Sequence, residues 1–268
     1  MLVLDRVTYR YAGSPGPSLV DVGLTLGDGE VVGVCGASEA GKTTLCLVAS
    51  GLAPRAIRGE LTGRLVIDGA DVVSAPMHAL VTQVGISFQD PATQLSGVCA
   101  TVYEEIAFGP MNLGLPRDDV LARTEAALDA MAIRDLALRD PARLSGGQMQ
   151  LVAIAGLLAM RPRHIVLDEP TAELDPAGSG LVADAVARLV SDGASILIAE
   201  QRTDLLARLC DRVVILRAGR VALEGPAAEV LGDERLGTLG VAAPSAVRLR
   251  RTFVAAGLDP TMITGAAS

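Results

Sequence analysis

Eight residues near the amino terminus form a glycine-bounded loop of the kind that holds phosphate groups. Residues 36–43, GASEAGKT, fit the pattern GxxxxGK[ST], with an apolar run before them and a helical pattern after them. Glycines let backbone N–H groups surround phosphates, Lys42 can reach the β- and γ-phosphates, and Thr43 can ligate Mg²⁺. Lys42 is also the only lysine among 23 basic residues. We predict that the phosphates are bound by Gly36, Ala37, Ser38, Glu39, Ala40, Gly41, Lys42, Thr43 and Thr44, with the Glu39 carboxylate facing solvent or a partner subunit.

A second candidate lies where an apolar run ends in two acids. Residues 164–170 read HIVLDEP, and α/β sheets place their ligands at the carboxyl ends of strands. Asp168 is suited to hold Mg²⁺, and Glu169 can polarise an attacking water as a general base. His164 stands at the opposite end of the run, so we predict a structural role for it. A strand that merely ends in a solvated acidic turn is the alternative, and the phosphate loop makes it the weaker one.

The elements that would position these residues alternate along the chain. Such alternation indicates an α/β fold with a central, mostly parallel sheet. We predict strands over 31–35, 84–88, 165–167, 195–199 and 213–216, and helices over 42–50, 118–131, 145–160, 176–191 and 203–209. An antiparallel β flank is predicted from 2–11, 19–26 and 63–68. A helical subdomain is expected over about 90–160 within a domain of residues 1–242, followed by a short helical extension over 243–268.

Composition excludes several classes of protein. The net charge of −8 and the aromatic content of 2% argue against nucleic-acid binding and base stacking. The four cysteines form no CxxC pair, which makes a zinc site improbable. The longest apolar run covers 151–160, while a membrane span needs about 20 residues. We therefore expect a cytosolic protein that reaches a membrane only through a partner.

A third motif, LSGGQ at 144–148, gives the sequence a resemblance to the ATP-binding cassette (ABC) ATPases. LSGGQ is the signature of that family, and the resemblance covers nearly the whole chain. It implies a P-loop NTPase fold, ATP and Mg²⁺ as cofactors, and Glu169 as a catalytic residue. Tyr11 matches the position where the family stacks an aromatic ring on adenine. Gln89 matches the family's Gln loop, which senses Mg²⁺ and the membrane partner.

The LSGGQ motif itself looks like half of a phosphate site. Ser145 is suited to cap a helix, and Gly146 and Gly147 leave backbone N–H groups accessible beside Gln148. The motif carries no lysine or metal ligand, so another chain must complete the site. The resemblance implies a second cassette, identical or different, that binds head to tail and sandwiches two ATP molecules.

Further motifs resemble the cassettes of energy-coupling factor importers, which take up vitamins, cobalt or nickel. These are SFQDP at 87–91 with Gln94, and YEEIAFGP at 103–110. The resemblance implies a transmembrane coupling subunit, a substrate-binding membrane protein and a peripheral position at the cytoplasmic face of the cell membrane. Met111 departs from this pattern, since an acid is common at its position.

The position of the family's γ-phosphate histidine is occupied by Gln201. Glutamine carries no proton, and loss of an acid–base group costs about 10²–10⁴ in rate. Glutamine does orient the attacking water in small GTPases, so Gln201 is a candidate catalytic residue beside Glu169 and Gln89. We predict a weak or asymmetric site.

Several functions remain open. The leading one is the ATP-hydrolysing subunit of an importer. A low-activity, nucleotide-binding half of a heterodimer is the first alternative, and an ABC exporter cassette is the second. A cassette for translation or chromosome maintenance is disfavoured, because the roughly 100 residues from Thr43 to Leu144 contain no sustained heptads.

Overall fold

The computed structural model describes residues 1–73 and 75–258. Its strands are β1 (Leu2–Tyr11), β2 (Leu19–Leu26), β3 (Val31–Gly36), β4 (Gly59–Ile67), β5 (Ala70–Asp71), β6 (Val84–Ser87), β7 (His164–Asp168), β8 (Ser195–Ala199), β9 (Arg212–Arg217) and β10 (Arg220–Pro226). Its α-helices are α1 (Lys42–Ala49), α2 (Met77–Leu80), α3 (Val102–Asn112), α4 (Arg117–Ala130), α5 (Gly146–Met160), α6 (Pro176–Ser191), α7 (Thr203–Leu209), α8 (Ala227–Gly232) and α9 (Ser245–Ala255).

The central sheet has the strand order β10-β9-β3-β8-β7-β6. Every neighbouring pair is parallel except β9 with β10. All residues of β3, β7 and β8 are buried, as expected for parallel strands covered on both faces. The predicted mostly parallel sheet is therefore confirmed. Because β3 and β7 both flank β8, the carboxyl ends of these three strands meet at one edge of the sheet.

The antiparallel flank is a separate sheet with the order β2-β1-β4-β5. Its strands are antiparallel to their neighbours, as predicted. Apolar residues of β1 and β2 belong to the same buried cluster as Leu45 and Val48 of α1 and Val32 and Val34 of β3. The flank is thus fastened to the helix that follows the phosphate loop.

Helices α3, α4 and α5 form the predicted helical region. Two of them begin with reciprocal capping boxes: Thr101 with Glu104 on α3, and Ser145 with Gln148 on α5. Each box satisfies two backbone N–H groups that would otherwise lack a partner. Ile106, Leu128 and Ile154 join these helices in a buried cluster that continues into the central sheet.

Some boundaries differ from the sequence-based prediction. Strand β4 starts at Gly59 rather than at residue 63, and β6 ends before Phe88. β10 and α8 were not predicted, because β10 contains no buried residue and α8 has only six residues. Helix α9 lies within the predicted extension and contains no buried residue, whereas 259–268 lie outside the described residues. Among the described helices, none combines the length and apolar character that membrane crossing requires.

Candidate active site

The phosphate loop joins β3 to α1, and its two glycines are there for steric reasons. A Cβ on Gly36 would lie 2.5 Å from the carbonyl oxygen of Leu216. Gly41 has φ +105°, and a Cβ there would lie 2.8 Å from the carbonyl oxygen of Ser18. Left-handed backbone of this kind favours glycine. The loop thus keeps the tight path that phosphate wrapping requires.

The side chain of Lys42 is held across this loop. It is 6% exposed, and its Nζ donates to the carbonyl oxygens of Gly36 at 3.1 Å and Ala37 at 3.3 Å. Nζ also lies 3.6 Å from Oε1 of Glu169, at the end of β7. A positive charge therefore stands between the loop and the acidic pair.

The Glu169 carboxylate is contacted by two further side chains. Nε2 of Gln201 donates to its Oε1 at 2.8 Å, and Nε2 of Gln89 donates to its Oε2 at 3.2 Å. Glu169 also has φ +47°, a left-handed conformation that costs energy for a residue other than glycine. The side chains of Gln201 and Gln89 thus meet at the carboxylate of Glu169, so the fold brings the three predicted catalytic residues together.

Asp168 provides the test of whether the site suits a magnesium ion. The residue is 2% exposed, and its Oδ1 is buried without a hydrogen-bond partner among the described residues. Burial raises the pKa of Asp168 to about 6; the Thr43 hydroxyl opposes this shift, and the Glu169 charge adds to it. A buried carboxylate oxygen without a hydrogen-bond partner costs free energy of folding. A bound cation would supply that missing partner.

The available ligand atoms agree with Mg²⁺. The predicted ligands Thr43, Gln89 and Asp168 offer oxygen donors, which hard cations prefer. Within the described residues, no three His, Cys, Asp or Glu side chains form a metal cluster by themselves. Mg²⁺ is commonly held by one or two carboxylates together with substrate phosphates, and this donor set fits that arrangement.

A cavity of about 610 Å³, the nucleotide cavity, is bordered by most of these groups, although Asp168 does not belong to its wall. Among the predicted site residues, its wall contains Ser38, Glu39, Gly41, Lys42, Thr43, Thr44, Gln89, Glu169 and Gln201. Glu39 is solvent-exposed, but it also forms part of the cavity wall, which the prediction that it faces solvent or a partner subunit did not include. Sequence reasoning missed Pro17, Ser18, Ala218 and Gly219 in the same wall. They come from two turns whose approach to the loop depends on the tertiary fold.

Other predicted residues lie outside this wall. The Tyr11 hydroxyl is 3.0 Å from Oγ1 of Thr44, and its ring packs edge-on against Tyr9, with the centroids 5.0 Å apart. Ser145, Gly146, Gly147 and Gln148 form the start of α5 instead of contributing to the cavity. Gly36, Ala37 and Ala40 belong to the phosphate loop but do not line the cavity. The signature motif is thus separate from the phosphate loop within one chain.

Glu200 is a buried acid to which sequence reasoning gave no role. Its carboxylate accepts the Thr171 hydroxyl at 2.6 Å and the backbone N–H groups of Gln201 at 2.8 Å and Arg202 at 3.1 Å. It is 2% exposed. Glu200 therefore ties the loop that carries Gln201 to the loop that follows Glu169.

The segment that carries Gln89 is anchored by Gln94. Oε1 of Gln94 accepts the N–H of Phe88 at 3.1 Å, and its Nε2 lies 3.4 Å from the carbonyl oxygens of Ile86 and Ala153. Since Ala153 belongs to α5, this side chain connects the Gln89 loop to the helical region. A shift of that region can thus move Gln89.

Comparison with known proteins decides the family. A family model described as "ABC transporter" matches residues 19–172, which include the phosphate loop, the signature motif and the acidic pair. This chain belongs to the ABC transporter family. It is an ATP-binding cassette with the P-loop NTPase fold, and its family couples ATP hydrolysis to transport.

Relatives of this cassette cover most of its length. A protein of Pyrococcus abyssi, named as a candidate ABC transporter ATP-binding protein, is 38% identical over 93% of this chain and 89% of its own length. The structure of CbiO1 from Clostridium perfringens, described as part of the transporter complex CbiONQ, has a TM-score of 0.76. It is 31% identical to this chain and covers 93% of it and 98% of its own chain. The cassette MJ0796, captured as a dimer with ADP and Pi, has a TM-score of 0.74, 25% identity and coverages of 85% and 99%.

Proposed function

We propose that this cassette binds and hydrolyses ATP to power a membrane importer of the energy-coupling factor type, which carries a vitamin or a transition-metal ion. The observation that carries the ATPase proposal is the convergence of Lys42, Gln89 and Gln201 on the Glu169 carboxylate in one cavity. In this proposal the ATPase domain comprises residues 1–242, and 243–268 form an extension.

Each residue has a distinct task in hydrolysis. Lys42 and the loop N–H groups bind the β- and γ-phosphates. Thr43, Gln89 and Asp168 hold Mg²⁺, which neutralises charge on the phosphates when it is bound. Glu169 accepts a proton from the attacking water as the new oxygen–phosphorus bond forms. Tyr11 lies outside the cavity wall, beside Thr44, so its proposed stacking on adenine requires the base to extend beyond the cavity.

Gln201 takes the place of a residue that could carry a proton. Its amide donates to Oε1 of Glu169 at 2.8 Å, so it orients the base and leaves its own carbonyl oxygen as an acceptor for the water. A neutral amide adds no positive charge near the γ-phosphate. The site is therefore slower than one with histidine, whether the second cassette is a copy of this chain or a different chain that carries histidine.

A second cassette completes the nucleotide site. Ser145, Gly146, Gly147 and Gln148 present the start of a long helix outside the nucleotide cavity of their own chain. Helix starts bind anions. In a head-to-tail dimer each signature motif closes the partner's cavity, and the dimer of MJ0796 with ADP and Pi supports this arrangement.

The helical region offers a surface for a transmembrane subunit. A groove of about 300 Å³ lies beside Gln94, between β6, α3 and α5. Phe108 and Met111 of α3 are 38% and 61% exposed. Together with the CbiONQ complex of the CbiO1 neighbour, this supports a coupling subunit that docks here, a substrate-binding membrane protein beyond it and a peripheral position at the cytoplasmic face of the membrane.

Two other functions remain as alternatives. The uncharged Gln201 favours a low-activity regulatory half of a heterodimer. An exporter cassette would use the same ATP site and a different membrane partner.

The oligomeric response to ATP tests the proposal. Glu169→Gln chain with saturating Mg-ATP should elute as a dimer in size-exclusion chromatography with light scattering, and as a monomer without nucleotide. Lys42→Ala should stay monomeric under both conditions. A Glu169→Gln chain that binds Mg-ATP and remains monomeric would favour the heterodimer instead.

A further inference from the structure

A second cavity of about 430 Å³ borders the nucleotide cavity. We name it the arginine cavity. It lies between the start of α6, the helix α7 and the segment that leads into α9. Its wall contains Pro176, Ser179, Gly180, Gln201, Arg202, Thr203, Asp204, Leu205, Arg208, Ala242, Ala243 and Arg248. At about 30 Å³ for each water molecule, it has room for a small anion with part of its hydration shell.

Three arginines face this space: Arg202 at the N-cap of α7, Arg208 in the last turn of α7, and Arg248 on α9. Arg202 donates to Oγ of Ser179 at 2.7 Å, Arg208 to Oδ1 of Asp184 at 3.1 Å, and Arg248 to Oγ of Ser245 at 3.2 Å. Each contact occupies one of the five N–H donors of a guanidinium. The remaining donors give the wall a capacity for several charge-assisted hydrogen bonds to an oxyanion.

Asp204, the acidic residue of the wall, already accepts hydrogen bonds. The Asp204 carboxylate accepts the backbone N–H of Ser245 at 2.7 Å and its hydroxyl at 2.8 Å. These bonds fix the start of α9 and so hold Arg248 at the cavity. With three arginines against the single acid Asp204, the wall carries a surplus of positive charge, although Arg208 also pairs with Asp184 beside the wall and the whole chain has a net charge of −8.

The two cavities share one side chain. Gln201 lines both the nucleotide cavity and the arginine cavity. Its amide contacts Glu169 on one side, and the next residue, Arg202, lies in the wall on the other. The two cavities therefore adjoin at Gln201.

We propose that the arginine cavity is a binding site for inorganic phosphate, the product of hydrolysis at the neighbouring site. The inference rests on the proposed function. Hydrolysis breaks the bond between the γ-phosphorus and the bridging oxygen, which leaves with ADP, and forms a bond from the γ-phosphorus to the water oxygen. The phosphate then binds to Arg202, Arg208 and Arg248 without further bond changes. Guanidinium groups match phosphate oxygens in bidentate geometry.

Titration calorimetry of the full chain with sodium phosphate tests the site, with sodium chloride of equal ionic strength as the blank. Arg208→Gln and Arg248→Gln should each weaken phosphate binding at least about tenfold. Asp184→Asn removes the ion pair of Arg208 but keeps the guanidinium, and Arg250→Gln removes an arginine of α9 outside the cavity wall. Both controls should bind phosphate at least as tightly as the wild type.

Three results would overturn the proposal. These are no phosphate binding by the wild type, equal binding in all variants, or binding that Lys42→Ala abolishes, which would assign the phosphate to the phosphate loop. Mg-ATP binding, measured on the same samples, reports separately on the proposed function. If the Arg208→Gln and Arg248→Gln variants bind Mg-ATP normally but lose phosphate binding, the result supports the phosphate site in the arginine cavity and says nothing new about the proposed function.

Discussion

The side-chain amide of Gln201 donates a hydrogen bond of 2.8 Å to Oε1 of Glu169. The same oxygen lies 3.6 Å from Nζ of Lys42. The Glu169 carboxylate, the proposed general base, is therefore oriented by the neutral amide of Gln201 and lies near the positive charge of Lys42. A histidine at position 201 could add a second positive charge, whereas glutamine cannot. The residue at position 201 therefore influences how strongly the site can stabilise the negative charge on the γ-phosphate during hydrolysis.

Replacing Gln201 by histidine should raise the rate of ATP hydrolysis. An imidazole can donate to the γ-phosphate and carry a proton, and acid–base groups contribute about 10²–10⁴ in rate. We expect Gln201→His to increase steady-state turnover at least about tenfold and Gln201→Ala to lower it, measured by phosphate release in the assembled transporter. An unchanged rate in Gln201→His would refute this account of the residue.

Replacing Lys42 by arginine should weaken the binding of Mg-ATP. Nζ of Lys42 is buried and donates to the carbonyl oxygens of Gly36 and Ala37, a space that suits a compact ammonium group rather than a planar guanidinium. We expect Lys42→Arg to raise the dissociation constant of Mg-ATP at least about tenfold in equilibrium binding. The exposed Arg217→Lys exchange is the matched control and should leave it unchanged. Equal affinity in both variants would contradict the assigned role.

Glu200 should matter for stability. Its carboxylate accepts from Thr171 and from two backbone N–H groups while almost fully buried. Unpaired buried donors cost about 1–3 kcal/mol each, so we expect Glu200→Ala to lower the free energy of unfolding in urea by about 2–3 kcal/mol. Glu229→Ala, at an exposed site, should change it by less than about 0.5 kcal/mol. Similar changes in the free energy of unfolding in the two variants would show that the Glu200 hydrogen bonds do not stabilise the fold.

His164 should make stability depend on pH. Burial lowers its pKa below 6.5, against the opposing hydrogen bond to Asp68. The unfolded chain therefore binds a proton more readily than the folded chain. The contribution of His164 to stability is retained above pH 6.5 and is lost as pH falls below it, with a slope of at most about 1.4 kcal/mol per pH unit.

The other histidine supplies the control for this effect. His78 is exposed, so His78→Gln should reproduce the wild-type profile of unfolding free energy between pH 5 and 8. His164→Gln should flatten the acidic part of that profile. If both variants keep the same slope as the wild type, the slope comes from other groups.

Local sequence patterns predicted the five parallel strands of the central sheet, but not β10, and the residues at the strand ends. Buried parallel strands appear as short apolar runs. The motifs predicted Lys42 and Glu169, and the resemblance to the ABC family predicted Gln89 and Gln201, as residues of one site, and the fold brings all four together. The signature motif was predicted as the start of a helix, and Ser145 caps it. These features depend on neighbours within a few residues.

Features that depend on distant segments could not be predicted in the same way. Glu200 meets Thr171, which is 29 residues away. Asp204 fixes Ser245 across 41 residues, which brings Arg248 to the arginine cavity. Such pairs follow from strand order and helix packing, and neither leaves a periodic signal in the sequence. The place of Tyr11 beside Thr44 instead of in the cavity wall has the same origin.

Steady-state hydrolysis of Mg-ATP by the purified chain is the most direct test of the central claim. The chain should be assayed at a concentration that allows dimerisation, with Glu169→Gln prepared in parallel as the blank. We predict slow, Mg²⁺-dependent release of phosphate clearly above that of Glu169→Gln. A wild-type rate equal to that of Glu169→Gln would contradict catalysis by the Glu169 and Gln201 pair in this chain.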